Sequence, residues 1–178
     1  RTSRRMASAP ATGAVNSPVF SLDSRKLLAR NSLGGKTASI WDLDTGKLLL
    51  TITNSTSVGP RAFTPDGRHF ITTDPEGTLG LWDSGTMRQT KPLPELGSNC
   101  CGVALSPDGR WLAVGDPSGK VHIWDWQVRA QVTNLAISFE WSCSLRFSRS
   151  GRFLLGKVFF NDRTPALRIW RTDRWEEV

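Results

Sequence analysis

Short apolar runs, each of strand length, alternate along this chain with turns built from Gly, Pro, Asp and Ser. Phe70-Ile71, Trp111-Leu112-Ala113-Val114 and Phe153-Leu154-Leu155 each follow a tight Pro-Asp-Gly or Ser-Gly turn, where Asp and Gly tolerate the backbone angles that join two strands in a hairpin. In Val121-His122-Ile123-Trp124 the period is two, so Val121 and Ile123 share one face and His122 and Trp124 the other. No segment has a convincing helical period, and no apolar run approaches the roughly 18 residues of a membrane-spanning helix. The pattern predicts an all-β chain.

The turns recur at a fixed spacing. Phe20-Ser21-Leu22-Asp23-Ser24-Arg25, Phe63-Thr64-Pro65-Asp66-Gly67-Arg68, Leu105-Ser106-Pro107-Asp108-Gly109-Arg110 and Phe147-Ser148-Arg149-Ser150-Gly151-Arg152 align with steps of 43, 42 and 42 residues. Downstream of each lies a second signature: Ile40-Trp41-Asp42, Leu81-Trp82-Asp83, Ile123-Trp124-Asp125 and Ile169-Trp170-Arg171. Each unit reads as four short strands, the last at about 47–53, 87–93 and 130–135 in the first three units.

Four strands per unit, this period and a Trp-Asp pair ending the third strand resemble the WD-repeat β-propeller family, in the degenerate form of some bacterial members. The resemblance covers about residues 17–178 and implies four four-stranded antiparallel blades, about 17–57, 58–98, 99–140 and 141–178, after a disordered tail at 1–16. It implies a partial propeller belonging to a larger one, since four blades lie at the small end of the range of about 4 to 8. The family's Gly-His dipeptide is absent, and its Asp six residues before the Trp is replaced by Gly35, Glu76, Ser118 and Thr164. The hydrogen-bond relay of the family is therefore incomplete, and the blades depend on apolar packing and turns. Trp41, Trp82, Trp124 and Trp170 are expected to pack blades, and Asp66, Gly67, Asp108 and Gly109 to form turns.

Composition changes the picture in three places. Half of the eight Trp fall on one repeated position, while Tyr is absent. The net charge of +7 is spread evenly, with 12 basic and 8 acidic groups in residues 1–99 and 11 and 8 in residues 100–178, so neither half is a basic pole and no nucleic-acid partner is expected. Cys100, Cys101 and Cys143 have no Cys-x-x-Cys spacing for zinc; they read as thiols of a reducing compartment, with a Cys101–Cys143 bridge as the alternative, and the chain is expected to be cytoplasmic. The opening residue is Arg1 and not an initiator Met, so the chain is expected to be a piece of a longer polypeptide or a processed product.

Catalytic patterns are not evident. His69 and His122 lie inside strand patterns without a neighbouring nucleophile, and Gly34-Gly35-Lys36-Thr37 lacks the preceding Gly and following helix of a phosphate loop. No cofactor, metal or membrane contact is expected. Partner contact is expected at Trp141, before an innermost strand, and at Phe159, Phe160 and Arg163, in the lengthened stretch 157–165 of the fourth unit. There the distance from first-strand aromatic to third-strand Trp is 23 residues, against 21, 19 and 19 in the others. An insertion on a repeat scaffold commonly forms a binding loop; alternatively, Val158 and Phe159 extend the second strand. The expected function is a non-catalytic scaffold or interaction module for protein partners, within a larger regulatory or sensor protein. The alternative is a propeller-type enzyme or ligand-binding domain with a site at the central axis. Bare strand edges would pair with missing blades or with another copy.

Overall fold

The computed structural model describes residues 15–31, 37–53, 59–74, 77–90, 100–136, 144–159 and 165–178. They divide into two compact units, Arg1–Pro75 with Leu79–Pro92 and Glu76–Thr78 with Leu93–Val178. All regular elements among the described residues are strands in antiparallel meanders.

In the first unit, β1 (Val15–Phe20), β2 (Lys26–Asn31), β3 (Thr37–Asp42) and β4 (Leu48–Thr53) pair in that order as blade one. β5 (Gly59–Phe63), β6 (His69–Thr73) and β7 (Leu79–Asp83) make blade two. In the second unit, β8 (Gly102–Leu105), β9 (Trp111–Gly115), β10 (Lys120–Asp125) and β11 (Ala130–Ala136) make blade three, and β12 (Ser144–Phe147), β13 (Phe153–Phe159), β14 (Pro165–Arg171) and β15 (Glu176–Glu177) make blade four.

Two details depart from the sequence reading. β1 begins at Val15, inside the stretch assigned to a tail, because Val15 and Asn16 pair with Asn31 and Arg30 beyond an irregularity that spans Pro18. Proline has no N–H to give a ladder, so the register shifts there and pairing resumes on its far side. Blade two has three strands among the described residues; of the expected fourth, the described part carries a bridge between Trp82 and Gln89, and residues 91–93 lie outside the described residues.

Each unit is held by a core between its two blades. In the first, Leu28, Ala38, Ile40 and Ile52 of blade one meet Phe63 and Phe70 of blade two, with Trp82 and Met87 against them. Phe70 lies between Phe63 (centroids 5.7 Å apart) and Trp82, whose ring stacks on it at 5.9 Å and 7°. In the second, Ala104, Ala113, Val121, Ile123 and Leu135 of blade three meet Leu145, Leu154 and Trp170 of blade four. Val121 and Ile123 thus share the face that the alternation assigned to them. Within each unit the first strands of the two blades adjoin, β1 beside β5 and β8 beside β12. Phe20 and Phe63 are equivalent by repeat, yet Phe20 is 59% exposed and Phe63 8%, because Phe63 seats against blade one whereas no described blade of its unit covers Phe20.

Candidate functional site

The repeated turns are built from one hydrogen-bond pattern. In blade three, Ser106 Oγ donates to Asp108 Oδ1 and accepts from Trp111 N at 2.8 Å, while Asp108 Oδ1 accepts from Arg110 N at 3.0 Å. Thr64, Asp66 and His69 repeat it in blade two, and Ser21, Asp23 and Lys26 in blade one. In blade four Ser150 stands in for the Asp, its Oγ 3.2 Å from Ser148 Oγ. The residue after the Asp takes a positive φ, +67° at Gly67, +72° at Gly109 and Gly151, and +58° at Ser24. Asp66 with Gly67 and Asp108 with Gly109 each lie in one of these turns.

A second turn follows the third strand. Asp42 accepts from Thr45 N and Oγ1, both at 2.7 Å; Asp83 accepts from Gly85 N and from Thr86 N and Oγ1; Asp125 accepts from Gln127 and Val128 N. Leu43 N, Ser84 N, Trp126 N and Thr172 N donate to the carbonyls of Arg25, Arg68, Arg110 and Arg152, so both turns of each blade sit at one end, here termed the turn end. Asp108 is held below its ordinary range by the Ser106 hydroxyl, which outweighs the upward push of burial. At Asp66 burial pushes upward, and the Thr64 hydroxyl and Arg68 N–H overcome it. At Asp83 the Thr86 N–H and hydroxyl lower it.

The repeated Trp residues occupy different environments. Trp170 is 3% exposed and packs on blade three, with Gly156 leaving room for its ring. Trp82 donates from Nε1 to Thr72 Oγ1 at 3.0 Å, a bond from β7 to the paired strand β6. The buried indole N–H groups of Trp41 and Trp124 have no acceptor among the described residues. A pair that sequence reasoning passed over is His122 Nε2 with Asp116 Oδ2 at 2.7 Å. Burial pushes Asp116 upward, and bonds from His122, from the Ser118 hydroxyl and N–H and from Lys120 N keep it below its ordinary value. The signal was the spacing: Asp116 lies six residues before His122, across the turn that joins β9 and β10.

Of the expected contact residues, Trp141, Phe160 and Arg163 lie outside the described residues, as does Cys143. Phe159 ends β13, paired with Pro165, and Val158 pairs with Ala166. The lengthening of unit four is thus taken up in part by a longer second strand, the alternative reading of that stretch. Cys100 is buried, and Cys101 Sγ lies 3.6 Å from the Asp116 carbonyl oxygen. Among the described residues, no group of three or more His, Cys, Asp or Glu is placed to hold a metal, and no helix is long and apolar enough to cross a membrane.

Comparison with known proteins gives the same architecture. Residues 90–125 match the family model "WD domain, G-beta repeat", a stretch that holds the Ser106-Pro107-Asp108-Gly109 turn and Trp124. A search of curated proteins found no match. Among solved structures, a chain of Kuenenia stuttgartiensis hydrazine synthase is similar with a TM-score of 0.72 at 15% identity, over 97% of this chain and 51% of that one. This chain thus spans about half the length of that neighbour, and the likeness is one of fold. With a WD repeat matched at residues 90–125 and antiparallel sheets built on one turn pattern, the chain is similar to WD-repeat proteins in that stretch and has the all-β fold of a partial β-propeller.

Proposed function

We propose that the chain is a non-catalytic interaction module that presents blade-end loops to protein partners as part of a larger regulatory or sensor protein. WD repeats serve broadly as protein-interaction scaffolds. The observation that carries the reading is how the aspartates are used. Asp23, Asp42, Asp66, Asp83, Asp108 and Asp125 each accept bonds from their own turn, so these carboxylates build the frame. An enzyme site at the axis would draw ionisable side chains together from different blades, whereas His122 and Asp116 belong to one. A rigid frame with variable loops suits recognition.

Partner contact is assigned to Trp141, Phe159, Phe160 and Arg163, of which Phe159 ends β13, at the blade end opposite the turn end. Replacing Trp141, Phe159 and Phe160 by Ala should weaken capture of the cognate partner while the cooperative unfolding transition persists. Undiminished capture by that folded variant would remove these residues from the surface.

A further inference from the structure

We propose that the turn end of the second unit is a docking surface for an acidic protein segment, rich in Asp and Glu. The proposal rests on the interaction reading and adds to it a second surface with a stated partner chemistry. Charge along the sequence is even, but the fold sorts it. The equivalent turn segments of the second unit, 106–110, 125–129, 148–152 and 171–175, hold six Arg and three Asp; those of the first unit, 21–25, 42–46, 64–68 and 83–87, hold two Arg and five Asp. Adding the next residue of each segment brings Lys26, Lys47 and Arg88 to the first unit and Glu176 to the second, giving neutrality against a net +2.

These arginines belong to one surface. The Gly151 position lies against Pro107 Cδ, 3.7 Å from an added Cβ, which joins the β12–β13 turn of blade four to the β8–β9 turn of blade three. Trp175, in the last turn of blade four, meets Trp111 of blade three at 5.4 Å and 89°. The three acids are already engaged: Asp108 in its turn, Asp125 with its turn and Arg110 at 3.3 Å, and Asp173 with Arg171 at 3.4 Å. Arg129, Arg149, Arg152 and Arg174 are exposed, and none has a carboxylate within ion-pair distance among the described residues.

Guanidinium groups bind carboxylates in a two-pronged geometry, which suits Asp and Glu side chains. A nucleic acid strand would be expected to stack bases on aromatic faces. Here the Arg110 guanidinium covers Trp111 at 4.4 Å from the ring centre, and Trp111 and Trp175 pack on each other and on the core, so these two rings are engaged by the protein itself and half-buried Trp126 is left as the aromatic side chain of these turns open to a base.

Fluorescence anisotropy of a labelled oligo-glutamate peptide at about 0.15 M ionic strength, where charges are screened beyond about 8 Å, tests this on the whole chain, with an oligo-thymidylate of equal charge in parallel. The triple variant Arg149→Glu, Arg152→Glu, Arg174→Glu should weaken peptide binding by about tenfold or more, and the neutral Gln triple by a smaller factor. The repeat-equivalent variant Arg25→Glu, Arg68→Glu should stay within about twofold of the parent. No peptide binding, equal loss in both variant sets, or tighter oligo-thymidylate binding through the same arginines would overturn the proposal. Failure here with partner capture still dependent on Trp141, Phe159 and Phe160 would sink this surface alone; loss of both would sink the interaction reading as well.

Discussion

Gly156→Ala adds one methyl group in β13, and the structure says what it meets. The new Cβ would sit 3.0 Å from Trp170 Cζ3, 3.2 Å from Trp170 Cη2 and 3.5 Å from Leu145 Cδ2. Two of these are shorter than the roughly 3.5–4.0 Å optimum for carbon atoms. Forcing such a group into a packed core costs about 1–3 kcal/mol. Against this, Ala regains about 0.5–1 kcal/mol over Gly in a strand interior. Gly156 is not among the residues of positive φ, so the backbone accepts Ala and the net loss, up to about 2.5 kcal/mol, measures packing. Urea unfolding of the parent, Gly156→Ala, Trp170→Leu and the double variant forms a cycle. The two changes should be non-additive, with Gly156→Ala losing most of its penalty once the indole is gone. A stabilising Gly156→Ala, or additive effects, would refute the claim that Trp170 seats against this glycine.

Other outcomes follow from the same frame. Trp170→Ala empties the core between blades three and four and should cost about 3–5 kcal/mol by denaturant titration, whereas Val132→Ala on exposed β11 should change little. Arg129 is exposed at φ +56°, where blade one has Gly46, so Arg129→Gly should raise stability by up to about 1 kcal/mol in the same titration. The aspartates Asp23, Asp42, Asp66, Asp83, Asp108, Asp116, Asp125 and Asp173 are all lowered from 3.8 in the folded state. Folding therefore favours their ionised forms: the contribution is complete above the unfolded value and is lost as pH falls through the lower folded values. Thermal unfolding should accordingly drop on acidification below about pH 4, and Asp108→Asn should flatten part of that drop.

The sequence carried the repeat because turn chemistry is local. Ser or Thr, Asp and Gly at fixed offsets make the same bonds in each blade, and the Trp position keeps its register. The environment of each Trp was not legible, since Trp82 finds Thr72 and Trp124 finds no described acceptor through positions that the Trp-Asp signature does not encode. The second turn also hid its geometry. Met87, Arg129 and Trp175 take positive φ at the place of Gly46, and residue type alone gives no sign of it. Charge was misleading for a different reason. Even spacing along the chain becomes an uneven surface once the turns of two blades are gathered at one end.

Site-specific photocrosslinking in cells most directly tests whether the chain works by presenting its blade ends. A benzophenone side chain placed in turn at Phe159, at Arg149 and at Val132 samples the end of β13 opposite the turn end, the turn end itself and the outermost strand of blade three. Discrete protein adducts from the first two positions, and none from Val132, are the predicted result. No adducts at either blade end, or the same adducts from all three positions, would contradict it.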